Sequence, residues 1–199
     1  SKYGETILMR ACIGGDVETV KYLQSIGGDL KVENNVGMSC LYVACNNGRV
    51  ELCKYLIAEG LDVNLEAGNG DTPLYISSFR GHFEIVKCLV ENGADINHQN
   101  DGGVAPLYVA SQGRFLNVVK YLIECGVEVN HQINDGATAL FVASQNGYLD
   151  IVQCLIAGGA NVEKSNYNGV APLYVACQNG FLDTIKTLVD CGADVNKCT

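Results

Sequence analysis

Cysteine has the widest range of potential chemistry in this sequence, since it can form disulfides, bind metals or act as a nucleophile. The chain has ten cysteines, and no two are separated by only two residues, the spacing typical of zinc and redox sites. Several lie inside apolar runs, as in Lys87–Leu89, where a thiol acts as a small apolar side chain. We therefore predict free, reduced thiols in an intracellular, cytoplasmic protein. Cys12, Cys45 and Cys177 are expected to be buried at equivalent positions.

Histidine could provide metal ligands or a general base, and the sequence has three: His82, His98 and His131. His98 and His131 lie 33 residues apart. In a stack of helical units they would be separated by about 10 Å, too far to share one zinc. No histidine falls at the positions of the buried cysteines, and phosphate-binding loops and hydrolase motifs are absent. The sequence therefore predicts no enzyme, with no catalytic residue, no metal and no cofactor.

The charge of the chain limits its partners. The net charge is −9 and the isoelectric point is about 4.7, so the chain should repel phosphate backbones and anionic membrane surfaces. No stretch approaches the roughly 18 consecutive apolar residues of a membrane helix, and residues 1–10 show no signal-peptide pattern. We expect no nucleic acid, no membrane insertion and a neutral or basic partner.

The elements that position these residues follow a period of 33 residues. Glycine recurs at this spacing without a gap, at Gly4, Gly37, Gly70, Gly103, Gly136 and Gly169. Leucine does the same at Leu8, Leu41, Leu74, Leu107, Leu140 and Leu173. A unit of this length cannot bury its own apolar side chains, so neighbouring units must stack into one continuous core.

The third copy shows what each unit contains. Thr72 is a good helix N-cap and Pro73 suits the first helical position. Gly81 is expected to end this short helix with a positive φ. A second helix is predicted over Phe83–Glu91, where apolar residues recur at helical spacing. The following segment, Ala94–Asn97, is expected to be extended and to lead into a turn.

These units resemble the ankyrin repeat. Asp71–Tyr75 reads DTPLY, similar to the TPLH signature of that family, and Gly192–Asn196 matches its GADVN signature in full. The resemblance covers the whole chain and implies an all-α repeat solenoid of helix-turn-helix units with projecting β-hairpin loops. The repeats are expected at about 1–33, 34–66, 67–99, 100–132, 133–165 and 166–199. We expect them to form one array, excised from a larger protein.

Three departures from the family pattern lead to structural expectations. Where the family usually has His, six other residues are interpreted as a core column: Met9, Tyr42, Tyr75, Tyr108, Phe141 and Tyr174. Ala105 and Ala171 replace the capping Thr, which should cost about 1 kcal/mol at each helix. Arg114 stands where the other repeats have Gly. Either Arg114 adopts the left-handed conformation, or Gly113 does and the turn is remodelled.

The resemblance also implies a binding surface, the concave face formed by the loops and the first helix of each repeat. The candidate partner-binding residues on it are Met38, Asn46, Asn47, Asp71, Phe79, Arg80, Val104, Gln112, Arg114 and Tyr167. Phe79 and Arg80 are the strongest, because aromatic and arginine side chains are common interface hot spots. The second helices are expected to be solvated faces with i,i+3 salt bridges, at Glu18–Lys21, Glu51–Lys54 and Glu84–Lys87.

Two functions fit this pattern. The first is a monomeric, non-catalytic interaction module that binds a protein or an extended peptide. The alternative is a self-contained inhibitor or adaptor that occludes the active site of a partner. The resemblance is also compatible with a role as substrate of an asparaginyl hydroxylase, at Asn64, Asn97, Asn130 and Asn196, each of which follows Val or Ile.

Overall fold

The computed structural model of the protein describes residues 4–196, which contain twelve helices, arranged as six pairs, and no strand. The first helix of each pair, here called the inner helix, is α1 (Ile7–Gly14), α3 (Cys40–Asn46), α5 (Pro73–Arg80), α7 (Pro106–Gln112), α9 (Ala139–Gln145) or α11 (Pro172–Gln178). The outer helices are α2 (Val17–Ser25), α4 (Val50–Ala58), α6 (Phe83–Glu91), α8 (Leu116–Glu124), α10 (Leu149–Ala157) and α12 (Leu182–Asp190). The prediction of an all-helical repeat fold is confirmed.

The helix pairs group into two compact units, Ser1–Asp101 and Gly102–Thr199. In the first unit α3 packs between α1 and α5, and α4 packs between α2 and α6. In the second unit α9 packs between α7 and α11, and α10 packs between α8 and α12. Each pair thus buries its apolar side chains against a neighbour in its own unit, as a repeat that cannot form its own core must do.

Local sequence sets the ends of the helices. Thr72 Oγ1 accepts a hydrogen bond from the Tyr75 backbone N at 3.2 Å, and Pro73 begins α5. Gly81 ends α5 with φ of +70°, a conformation that glycine adopts without a Cβ penalty. Ala105 and Ala171 provide no side-chain cap to α7 and α11. These boundaries agree with the sequence prediction, including Phe83–Glu91 for α6.

The core includes the leucines that recur every 33 residues and several of the residues that directly follow them. All six of these leucines, from Leu8 to Leu173, are buried. Met9, Tyr42 and Phe141 of the aromatic column are also buried, whereas Tyr75 and Tyr108 are only partly so. The core interpretation is wrong for Tyr174, which is exposed.

The prediction that three equivalent cysteines are buried is likewise correct for two positions and wrong for the third. Cys12 and Cys45 are buried, but Cys177 is exposed. The reason is its place in the fold, because α11 packs against α9 and α12 and against no further inner helix in the described part of its unit. The face that covers the equivalent side chains elsewhere is therefore missing at Cys177 and Tyr174.

The loops between repeats form turns and not strand pairs in the part of the chain that is described. Each closes through few backbone hydrogen bonds, such as Ala67 N to Asp71 O at 2.9 Å. The expected extended segment after α6 is wrong at Ile96 and Asn97, which lie in a turn. Asp95 produces that turn, because its Oδ1 accepts a hydrogen bond from Asn97 N at 2.9 Å.

None of the helices described between residues 4 and 196 has the length and apolarity needed to cross a membrane.

Candidate partner-binding surface

Phe79 and Arg80 form the exposed C-terminal end of α5. Phe79 is 43% exposed, and the Tyr75 ring, one helical turn earlier, stacks on it with centroids 6.5 Å apart and planes inclined by 2°. Arg80 Cζ lies 5.4 Å from the Phe79 ring centroid. The contact with Tyr75 was missed at the sequence level, although the i,i+4 spacing of Tyr75 and Phe79 places them on one helix face.

A second inner helix contributes to the same location. Asn46, at the end of α3, accepts a hydrogen bond from Arg80 Nε on its Oδ1 at 3.0 Å. We call Asn46, Tyr75, Phe79 and Arg80 the aromatic–arginine patch. The neighbouring Asn47 is turned to its own helix, since its Nδ2 donates to Val43 O at 2.8 Å. The patch therefore unites two adjacent repeats of the first unit.

Asp71 is held inside the loop and not on the surface. It is 7% exposed, and its two carboxylate oxygens accept hydrogen bonds from Asn69 Nδ2 at 2.7 Å and Asn100 Nδ2 at 2.8 Å. Burial, together with the Asp71 charge, raises the pKa of Tyr42 to about 12. Met38, also in a loop, is partly buried, and its backbone N donates to Asn34 Oδ1 at 3.0 Å. Both residues shape the loops beside the patch.

The predicted site residues of the second unit differ in exposure. Val104 is partly buried, Gln112 and Arg114 are exposed, and Tyr167 is 71% exposed in a loop. The structure brings no pair of these four residues into a hydrogen bond or ion pair that could define a shared site within the described residues. An exposed aromatic side chain makes Tyr167 the clearest contact candidate of this unit.

The conformation at Arg114 resolves the alternatives left open by the sequence. Arg114 has φ of +59° and is the one non-glycine residue with positive φ between residues 4 and 196. Gly113 has φ of −82°, so it does not replace Arg114 in the left-handed role. A Cβ on Gly113 would lie 2.4 Å from the Phe115 ring. A side chain at position 113 would therefore require the Phe115 ring to move, and Arg114 adopts the left-handed conformation.

The Arg114 side chain is engaged within its own unit. Its Nε lies 3.3 Å from Asp150 Oδ1, and its Cζ lies 5.4 Å from the centroid of the Tyr148 ring. These contacts tie the turn of one repeat to the start of the next outer helix. Arg80 has no such carboxylate partner in the described part of the chain.

Two histidines and two asparagines connect the loop before a helix pair to the loop after it. His98 Nε2 lies 3.0 Å from Gly70 O, and His131 Nε2 lies 2.8 Å from Gly103 O, which requires a proton on each Nε2. Asn64 Nδ2 donates to Gly93 O at 3.1 Å, and Asn130 Nδ2 donates to Gly159 O at 2.9 Å. Among the described residues, no three His, Cys, Asp or Glu side chains are grouped so that they could hold a metal ion.

The sequence analysis missed two cysteine contacts, that of Cys12 with Cys40 and that of Cys45 with Cys53. Cys45 Sγ and Cys53 Sγ lie 3.6 Å apart in the core, because α3 and α4 pack face to face within one repeat. The contact with Cys45 and burial raise the pKa of the Cys53 thiol, which keeps it protonated and unreactive. The nine described cysteines are free, and Cys198 lies outside the described residues.

The outer helices carry a solvated, ion-paired surface. Lys21 Nζ lies 2.9 Å from Glu18 Oε1, and Lys54 Nζ lies 2.8 Å from Glu51 Oε1, as predicted. The prediction for Lys87 is wrong, since it pairs with Glu91 at 3.9 Å and not with Glu84. Glu91 lies one turn later on the same face, although Lys before Glu is the less favourable order for an i,i+4 pair.

A groove of about 630 Å³ lies on the outer helices of the second unit. It is lined by Leu116, Lys120, Ile123, Glu124, Asp150, Gln153, Cys154, Ala157 and Gly158. Its charges are mixed, and none of the predicted partner-binding residues lines it. It is the main competing surface to the inner helices.

Comparison with known families gives a match over almost the full length. A family model described as ankyrin repeats matches the chain at residues 1–67, 62–133 and 107–198. No curated protein matches the chain.

Proposed function

Since the chain belongs to the ankyrin repeat family, we propose that it is a non-catalytic module that binds a partner protein or extended peptide on its inner helices and loops. Members of this family are typically protein-interaction modules. The observation that carries the proposal for this chain is the aromatic–arginine patch of the first unit. A large aromatic side chain left 43% exposed beside an arginine is the composition expected at the centre of an interface.

The energetics favour this patch over the outer helices. Covering Phe79 removes apolar surface from water, and truncating such an anchor commonly costs about 2 kcal/mol or more, which corresponds to roughly 30-fold in affinity. The outer-helix ion pairs are solvated on both sides and contribute little to any interface. The affinity for a partner should therefore fall when Phe79 or Arg80 is replaced. It should not change when Lys54 or Lys87 is replaced.

The loops extend the proposed contact. Glu33 and Asp101 are exposed on the loops of the first unit, and Glu66 lies 3.6 Å from His98. In an acidic chain these groups accelerate association with a segment that carries basic residues, and they do so less at high salt. We propose in addition that the chain acts as a monomer in the cytoplasm.

The test is capture of a partner from a native cell extract with the wild-type chain and with Phe79→Ala/Arg80→Ala. Both side chains are exposed, so the double variant should retain the helical circular dichroism and the melting temperature of the wild type. We expect loss of the captured protein. The matched control, Lys54→Ala/Lys87→Ala on the outer helices, should capture as well as the wild type. If the control abolishes capture and the Phe79/Arg80 variant does not, the partner binds the outer helices and the proposal fails.

A further inference from the structure

We propose that the aromatic–arginine patch recognises a carboxylate side chain, Asp or Glu, that lies next to an apolar residue in the partner. This inference rests on the proposed function and specifies the chemistry of the contact. It adds an acidic anchor to a partner that would otherwise be expected, from the net charge of −9, to be basic.

Apart from the Tyr75 hydroxyl, which is hydrogen-bonded to Asn100, the polar groups of the patch that remain available are donors. Arg80 uses Nε for Asn46 Oδ1, and none of the described residues accepts a hydrogen bond from its two terminal amino groups. Asn46 has one side-chain acceptor, Oδ1, and Arg80 already occupies it. The Asn46 Nδ2 group has no acceptor in the described part of the chain. What remains is a cationic, donor-only site, which a carboxylate matches in both charge and hydrogen bonding.

Two of the other three arginines are paired with a carboxylate, whereas Arg49 donates through Nε to Ile13 O at 2.8 Å. Arg10 Nε lies 2.8 Å from Glu5 Oε2, and Arg114 Nε lies 3.3 Å from Asp150 Oδ1. Each of these pairs supplies a carboxylate from within the chain. Arg80 has no carboxylate within ion-pair distance among residues 4–196. A carboxylate from the partner would give Arg80 the counter-ion that Arg10 and Arg114 find within the chain.

The Arg80 guanidinium is also held in place before a ligand binds. The bond to Asn46 and the position 5.4 Å from the Phe79 ring centroid hold a side chain that otherwise loses considerable rotamer entropy on binding. The Phe79 ring is in turn stacked on the parallel ring of Tyr75. An apolar residue adjacent to the acid would cover these rings while the acid reaches Arg80.

A carboxylate suits the site better than a phosphate. The chain has a net charge of −9. Because repulsion by a net acidic chain scales with ligand charge, a phosphate dianion is penalised more than a carboxylate monoanion. The single arginine also offers one bidentate site, which is what one carboxylate requires.

The experiment is a selection of randomised 12-residue peptides displayed on phage, with the whole chain as bait, followed by affinity measurement with synthetic peptides. Enriched peptides should contain Asp or Glu next to an aromatic or aliphatic residue. Changing that Glu to Gln in the peptide should weaken binding to the wild type about tenfold. On Arg80→Gln the same change should have no effect. Lys87→Gln, a charge-matched control on an outer helix, should behave as the wild type.

The outcomes separate this inference from the proposed function. Enriched peptides that lack an acid but bind Phe79→Ala more weakly would contradict the recognition of a carboxylate. They would still support the proposed binding surface. Peptides unaffected by both Phe79→Ala and Arg80→Gln, or a failure to enrich any peptide, would overturn both. Tighter binding of a peptide with phosphoserine in place of the acid would assign the site to a phosphate.

Discussion

Replacing Arg114 should separate two opposing contributions of one residue to stability. Its left-handed backbone, with φ of +59°, costs a non-glycine residue about 1–2 kcal/mol. The contacts of the Arg114 side chain offset part of this cost in folding free energy. The ion pair with Asp150 at 3.3 Å involves side chains 59% and 37% exposed, so it contributes only about 0.2–1 kcal/mol. The guanidinium over the Tyr148 ring contributes about 0.5–1 kcal/mol more.

Two substitutions at this position therefore have different consequences. Arg114→Ala loses both contacts and keeps the strain, so we expect the free energy of unfolding to fall by about 1–2 kcal/mol. Arg114→Gly loses the same contacts and relieves the strain, but makes the unfolded chain more flexible by about 0.4–1 kcal/mol. It should remain within about 1 kcal/mol of the wild type and exceed Arg114→Ala by about 1 kcal/mol.

Urea denaturation followed by circular dichroism measures these differences, with equal slopes for all variants as the internal check. Asp150→Asn is the matched control, because it removes the ion pair and leaves the backbone of residue 114 and the Tyr148 contact in place. Its loss should be no more than about 1 kcal/mol and should shrink at high salt. If Arg114→Ala is as stable as Arg114→Gly, residue 114 is not held in the left-handed conformation and the reasoning is refuted.

The same variants also test the functional expectation for Arg114. If its side chain serves the turn, Arg114→Gly should bind the selected peptides or the captured partner with the wild-type affinity. A tenfold or greater loss would instead assign Arg114 to the interface, as the variable position predicts.

Four further predictions concern stability and reactivity. Ser144 Oγ is buried without a hydrogen-bond partner in the described part of the chain, so Ser144→Cys should raise the free energy of unfolding by about 1 kcal/mol; no gain in urea would contradict this. Ala171→Thr should add about 1 kcal/mol by capping α11 as Thr138 caps α9, and an unchanged melting temperature would argue against it. Native alkylation with N-ethylmaleimide should modify first the exposed described thiols, whose sites mass spectrometry would identify: Cys125, Cys177 and Cys191. Because the pKa of Tyr42 is raised to about 12 in the fold and is about 10 in the unfolded chain, stability should fall as the pH rises from about 10 to about 12, and Tyr42→Phe should reduce that fall.

Sequence by itself determined the period, the helix limits and the caps of this protein. Thr72, Pro73 and Gly81 define α5 because an N-cap, a first-turn proline and a left-handed glycine act within a few residues of the chain. Leucine at one position of every repeat has to be buried, whichever neighbour covers it. Phe79 and Arg80 could be selected in the same way, since their residue types alone mark them among the variable positions.

Tertiary structure decided everything that depends on a residue about one repeat away. The bond from Arg80 to Asn46 joins residues 34 apart, and Asn100 donates a hydrogen bond to the Asp71 carboxylate from 29 residues away. Cys177 has the same local sequence role as the buried Cys45 but is exposed, because burial depends on the helix that packs against it. Local propensity specifies how a repeat folds, whereas the packing of its neighbours specifies which of its side chains remain accessible to a partner.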